Sequence, residues 1–279
     1  MFKKIILKKI NDKEEIYEEE VEFDEEVKII DLSNMNLIEI PIGLEQFKLL
    51  KELNVSNNYI TKIENLDKNI NLEILNLQKN LITTIENLDY LINLTYLDLY
   101  KNKITKIENL DNNVKLKELY LYNNQISKIE NLDKNIDLTY LDLGNNKITK
   151  IENLNKLVNL QTLYLYNNQI NKIENLDNNI NLKGLWLDNN QITKIENIDK
   201  NINLQELYLY DNQITKIENI HHLEKLEYFR LFDEDQNENI KESLSISLNN
   251  YNLELKEKQI QKELLKQKQD KEYFDNNYQ

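Results

Sequence analysis

A 22-residue period constrains this chain more than any other feature. Residues 160–181 read LQTLYLYNNQINKIENLDNNIN, and the same arrangement returns 22 positions earlier and 22 later. Eight copies fit without a gap, beginning at Leu50, Leu72, Leu94, Leu116, Leu138, Leu160, Leu182 and Leu204. No single copy holds enough apolar residues to close a core. Copies must therefore stack and share one, with stability roughly a sum over neighbouring units. The 279 residues thus form one elongated array with flanking segments rather than two compact domains.

Within each copy the apolar residues keep fixed columns. In the copy starting at Leu50 the predicted inward set is Leu53, Val55, Ile60, Ile63, Leu66 and Ile70. Each full burial contributes about 1.5–3 kcal/mol before entropy is subtracted. An asparagine column runs through Asn58, Asn80, Asn102, Asn124, Asn146, Asn168, Asn190 and Asn212. An amide both donates and accepts, so it can bond the backbone of its own turn and of the neighbouring coil. The column reads as a buried structural ladder. The chain has three Gly and one Pro, so Asn and Asp must make its turns. Lysines such as Lys106 and Lys128 alternate with glutamates such as Glu108 and Glu130, as on a solvated flank of weak ion pairs.

The pattern L-x-x-L-x-L-x-x-N-x-I-x-x-I-x-x-L resembles the leucine-rich repeat signature. That resemblance implies an α/β leucine-rich repeat solenoid, a right-handed horseshoe. About ten short parallel strands would line its concave face, with 3₁₀ or irregular turns on the convex face. The repeat domain is placed at residues 27–232, including an irregular first copy (Val27 to Leu49) and a tenth strand near Leu226. Residues 1–26 carry ten carboxylates between Asp12 and Glu26. They read equally as a loose acidic lead or as a hairpin covering the first copy, with Tyr17, Val21 and Phe23 on one side. Residues 233–279 are polar, with a charged helix expected between Glu254 and Glu272.

The net charge is −14 and there is no cysteine. An acidic surface disfavours nucleic acid and anionic membranes, both of which require basic partners. No segment is apolar enough to span a bilayer, and the N-terminal apolar run is too short for a signal peptide. An intracellular, monomeric protein is expected. Enzymatic chemistry is not: there is no phosphate loop and no thiol nucleophile. The two histidines, His221 and His222, are adjacent and do not converge on a metal. No cofactor and no metal are expected.

Function is expected on the residues that alternate with the inward leucines. One column contains Tyr96, Glu118, Tyr140, Glu206 and Tyr228. The next contains Asp98, Tyr120, Asp142, Tyr164, Trp186 and Tyr208. The third contains Tyr100, Tyr122, Tyr166, Asp188 and Tyr210. Ten of the sixteen tyrosines and the only tryptophan lie here. From Tyr96 to Tyr228 the band crosses six strand gaps, about 29 Å. Rings are expected to alternate with Asp98, Asp142 and Asp188, a surface suited to a protein partner with a basic face. The alternative is that the rings only stabilise the sheet through cross-strand pairing, with function left to the flanking segments.

The spelling N-x-I-x-K-I-E-N-L, as in Asn102 to Leu110, resembles the protein phosphatase 1 regulatory subunit 7 family. Bacterial internalins have similar 22-residue units. The first resemblance implies binding of a Ser/Thr phosphatase catalytic subunit through concave acidic and aromatic residues. At the matching positions stand Asp98, Glu118, Asp142, Tyr164, Trp186, Glu206 and Tyr208.

Overall fold

The structure is a computed structural model, which describes residues 1–231. The expected helix at Glu254 to Glu272 lies outside the described residues. A hairpin comes first, β1 (Phe2–Ile10) and β2 (Ile16–Asp24). Ten three-residue strands follow: β3 (Ile29–Asp31), β4 (Glu52–Asn54), β5 (Ile74–Asn76), β6 (Tyr96–Asp98) and β7 (Glu118–Tyr120), then β8 (Tyr140–Asp142), β9 (Thr162–Tyr164), β10 (Gly184–Trp186), β11 (Glu206–Tyr208) and β12 (Tyr228–Arg230). These ten form one parallel sheet in sequence order, each strand paired in register with the next coil. The chain is a solenoid with almost no helix. A single 3₁₀ turn, Leu44–Gln46, is the only helical element among the described residues.

The inward columns form one continuous core from Ile5 to Leu231. The asparagine ladder closes as its column predicts. Asn124 Nδ2 donates to the carbonyls of Leu99, Leu121 and Tyr122, and its Oδ1 accepts the N–H of Ile104 one coil back. Asparagines also hold most of the left-handed turn positions, with φ near +57° at Asn109 and Asn123. Asparagine tolerates this region because its short polar side chain bonds locally.

One expected column is corrected. Ile70 is 51 % exposed, and Ile92, Ile136, Ile180 and Ile202 stand out in the same way. The buried place belongs to the residue before, Asn69. Tight turns set this phase: Asn69 N–H bonds to the Leu66 carbonyl, and Leu72 N–H to the Asn69 carbonyl. That local winding turns the following β-branched residue outward, so the apolar letter alone misled.

Residues 1–26 form the hairpin. Strand β1 presents Ile5 and Leu7, both fully buried, to the first coil. Backbone bonds fix it there, from Ile6 N–H to Ile42 O and from Ile38 N–H to Lys8 O. The basic strand is held to the acidic one by Lys9–Glu19 at 2.6 Å and Lys4–Glu20 at 3.0 Å. Phe23 meets Phe47 edge-on, and Val21 packs on the core, but Tyr17 remains exposed.

Candidate functional site: an aromatic band on the open face of the sheet

In each strand of the ten-stranded sheet the central residue, Ile30, a leucine or Phe229, points to the core and its two neighbours face outward. The register therefore lines up Tyr96, Glu118, Tyr140, Thr162, Gly184, Glu206 and Tyr228 in one column across the sheet. Six rings join into an unbroken strip over β6–β11. Ring centroids are 5.1 Å apart for Tyr96–Tyr120, 4.7 Å for Tyr120–Tyr140 and 5.4 Å for Tyr140–Tyr164. Tyr164 and Trp186 stack at 4.1 Å, and Trp186 and Tyr208 lie nearly parallel at 5.5 Å. A second strip contains Tyr100–Tyr122 at 5.1 Å and Tyr122–Tyr166 at 5.4 Å.

Two glycines shape this surface. Tyr122 and Tyr166 follow strands that are not neighbours, β7 and β9, and they meet only because Gly144 lies between them. A Cβ there would stand 2.7 Å from the Tyr166 ring and 3.0 Å from that of Tyr122. At Gly184 a Cβ would come within 2.2 Å of the Trp186 ring, so the indole lies flat over the backbone. A glycine two residues before a ring, as at Gly184, or in column with rings one coil to either side, as at Gly144, was the signal for this packing, and sequence reasoning missed it. Arg230, also missed, places its guanidinium carbon 4.8 Å from the centre of the Tyr210 ring.

The carboxylates do not alternate with rings at the surface. Asp98, Asp142 and Asp188 are buried at 7 %, 9 % and 4 % exposure. Asp98 Oδ1 accepts the Tyr100 N–H and Asp142 Oδ1 the Gly144 N–H, both at 2.9 Å. Asn54 and Asn76 make the same bond to Ser56 and Gln78 in earlier coils. Asp98 and Asp142 thus close the strand ends beneath the rings. Desolvation pushes the Asp142 carboxyl up to about 6 and the Asp188 carboxyl up to about 7. The acids that share the surface with the rings are Glu118 and Glu206, both half-buried. Glu118 accepts the Tyr120 hydroxyl at 2.8 Å. Burial, followed by that hydrogen bond, holds the Tyr120 hydroxyl well above its ordinary range. Tyr228 stands apart, 57 % exposed at the end of the band. No group of acids, histidines or cysteines that could hold a metal occurs among the described residues.

A family model for paired leucine-rich repeats matches residues 70–112, 114–156 and 158–200, and a single-repeat model matches 203–223. Together these cover more than half of the chain. The chain is a leucine-rich repeat protein. Among solved structures, this repeat protein is similar to the functional domain of InlJ from Listeria monocytogenes. The two share 31 % identity at a TM-score of 0.64, covering 74 % of this chain and 43 % of that one. It spans less than half of the InlJ domain, which includes a cysteine ladder; this chain has no cysteine and stacks its coils with asparagine. The internalin InlF of the same species shares 26 % identity at a TM-score of 0.63, covering 79 % and 72 % of the two chains. Internalin C2 shares 27 % identity at 0.55, covering 74 % and 80 %. No curated protein matches the chain. The resemblance that the structural neighbours carry is to internalins; none of these matches points to the phosphatase regulator family. No helix among the described residues is long and apolar enough to cross a membrane.

Proposed function

We propose that this leucine-rich repeat protein is a non-catalytic interaction scaffold that binds a protein partner on the open face of its sheet. The observation that carries this reading is the unbroken strip of six contacting rings from Tyr96 to Tyr208. Rings in a long half-buried strip offer large apolar area at low entropic cost, and Tyr and Trp are enriched where interfaces carry most of their energy. Glu118 and Glu206, together with a net charge of −14, favour a partner with a basic face.

Paired affinity capture tests this. One bait is the full chain; the other carries Tyr164→Ala, Trp186→Ala and Tyr208→Ala, with circular dichroism confirming that both fold. Partners held by the first and lost by the second place the interface on the rings. Partner sets that do not differ would reduce the band to sheet chemistry and end this reading. A Ser/Thr phosphatase catalytic subunit among the lost partners would support the narrower role as its regulator, which rests on the acidic and aromatic residues at matching strand positions.

A further inference from the structure

A groove of about 580 Å³ runs along the flank where the chain turns into its strands, and none of its lining residues is a ring of the aromatic band. It extends from Lys117 to Lys225, five coil spacings or about 24 Å. Its walls are two parallel rows of polar side chains, one residue of each row per coil. The charged ones are Lys117, Lys183 and Lys225, against a single aspartate, Asp137. In a chain of net charge −14 this is a local reversal of sign.

The rest of the lining is amide and hydroxyl. Asn159, Asn181 and Asn203 each donate Nδ2 to a carbonyl of the preceding coil, at 3.0, 2.8 and 2.8 Å. Those bonds fix the amide planes at a constant spacing. Lys183 donates to Gln161 Oε1 at 2.9 Å, and Lys225 to Asn203 Oδ1, so both ammoniums sit on neutral amides. Beside the groove runs the outward aliphatic column, with Ile136, Val158, Ile180 and Ile202 at 50 %, 45 %, 50 % and 54 % exposure. The flank therefore combines an apolar ridge, rows of hydrogen-bonding amides repeating about every 4.8 Å, and sparse positive charge.

We propose that this groove binds a linear acidic oligosaccharide that carries carboxylates on some of its sugars. Sugar rings have apolar C–H faces for the ridge, and hydroxyls that both donate and accept for the amides. Each pyranose is about as long as one coil is thick, about 4.8 Å. Lys183 and Lys225 are two coils apart, about 10 Å, which suits a carboxylate on every second sugar. Charge density separates this ligand from nucleic acid, which carries a charge about every 1.7 Å of duplex and would meet the protein's net negative field. Screening over about 8 Å at physiological salt leaves the local lysines dominant for a sparsely charged chain.

Calorimetric titration of the full chain with a hyaluronan octasaccharide, at physiological salt, tests the assignment. The expected result is saturable binding that weakens by about tenfold or more in a Lys117→Gln/Lys183→Gln/Lys225→Gln variant, since charge-assisted bonds are lost. The Tyr164→Ala/Trp186→Ala/Tyr208→Ala variant should bind the octasaccharide unchanged, which separates this groove from the aromatic band whatever the fate of that reading. The lysines are exposed, so their replacement leaves the core intact, and circular dichroism checks it. Absence of saturable binding overturns the proposal, as does equal affinity for a neutral chitin oligosaccharide. If hexaglutamate competes as well as the octasaccharide, the groove selects charge alone and the ligand is an acidic peptide, not a glycan.

Discussion

Two asparagine columns that look alike as letters behave differently as chemistry. Asn124 has its amide fully used, with three carbonyls as acceptors and the Ile104 N–H as donor. Asn113 donates to the Leu88 and Leu91 carbonyls, but its Oδ1 is buried without a partner, as it is in Asn69, Asn135, Asn179 and Asn201. Those carbonyls already accept the Leu91 and Leu94 N–H groups. Coils that carry Leu91 and Leu157 in the same column bury them completely. An orphaned buried acceptor costs about 1–3 kcal/mol, whereas an apolar residue of similar shape there costs nothing polar. Asn124→Leu is therefore expected to lower stability by about 2–4 kcal/mol, since it leaves the Ile104 N–H without a partner and removes three donations. Asn113→Leu is expected to leave stability unchanged or raise it. Urea unfolding of both variants checks the opposite signs; equal destabilisation would show that the Asn113 oxygen does have a partner.

At the scale of the strand, the sequence pattern reported direction better than depth. Alternation told which side of β6, β8 and β10 each residue takes, and the register bears this out. It could not tell that Asp98 and Asp142 sit under the rings, because a strand-end aspartate and an exposed one are the same letter. Nor could it show that a tyrosine leans across Gly144, since the contact between Tyr122 and Tyr166 depends on the missing side chain in the coil between them. The buried aspartates have a consequence for pH. In the unfolded chain an aspartate titrates near 3.9, whereas folding raises Asp142 to about 6 and Asp188 to about 7. The folded state thus binds more protons between those values, and these groups favour folding below pH 4 and oppose it increasingly as pH rises towards 7. Acidification from pH 8 to pH 5 is expected to raise the urea midpoint. An Asp142→Asn/Asp188→Asn variant should gain at pH 8 and respond less to acidification, since the amide keeps an acceptor for the Gly144 N–H. An acidification gain as large in the variant as in the parent would mean that other carboxylates carry the effect.

Across the whole molecule, ten in-register strands were readable because one coil can only bury its leucines against the next. The ends were less readable, because an end is where the repeating rule stops and no second copy tests the reading. Ile5 and Leu7 supply to the first coil what a preceding coil would have supplied, while the acidic β2 lies along the outside edge. A charged edge strand resists pairing with another chain, so the hairpin covers the core without exposing a new template. In a molecule whose stability is summed over neighbours, the effect of losing such a cover should be graded with distance. Deleting residues 1–26 removes two fully buried aliphatic side chains and takes Phe23 off Phe47, a loss on the order of 3–6 kcal/mol. Hydrogen exchange of the truncated chain is expected to show protection lost at β3 and β4 and restored towards β9–β11. The emission of Trp186, six coils from β4, should report folding under conditions where the first coils are open. Loss of protection at all strands together would mean that the solenoid folds as one cooperative unit, with coupling between coils stronger than the stability of any one of them.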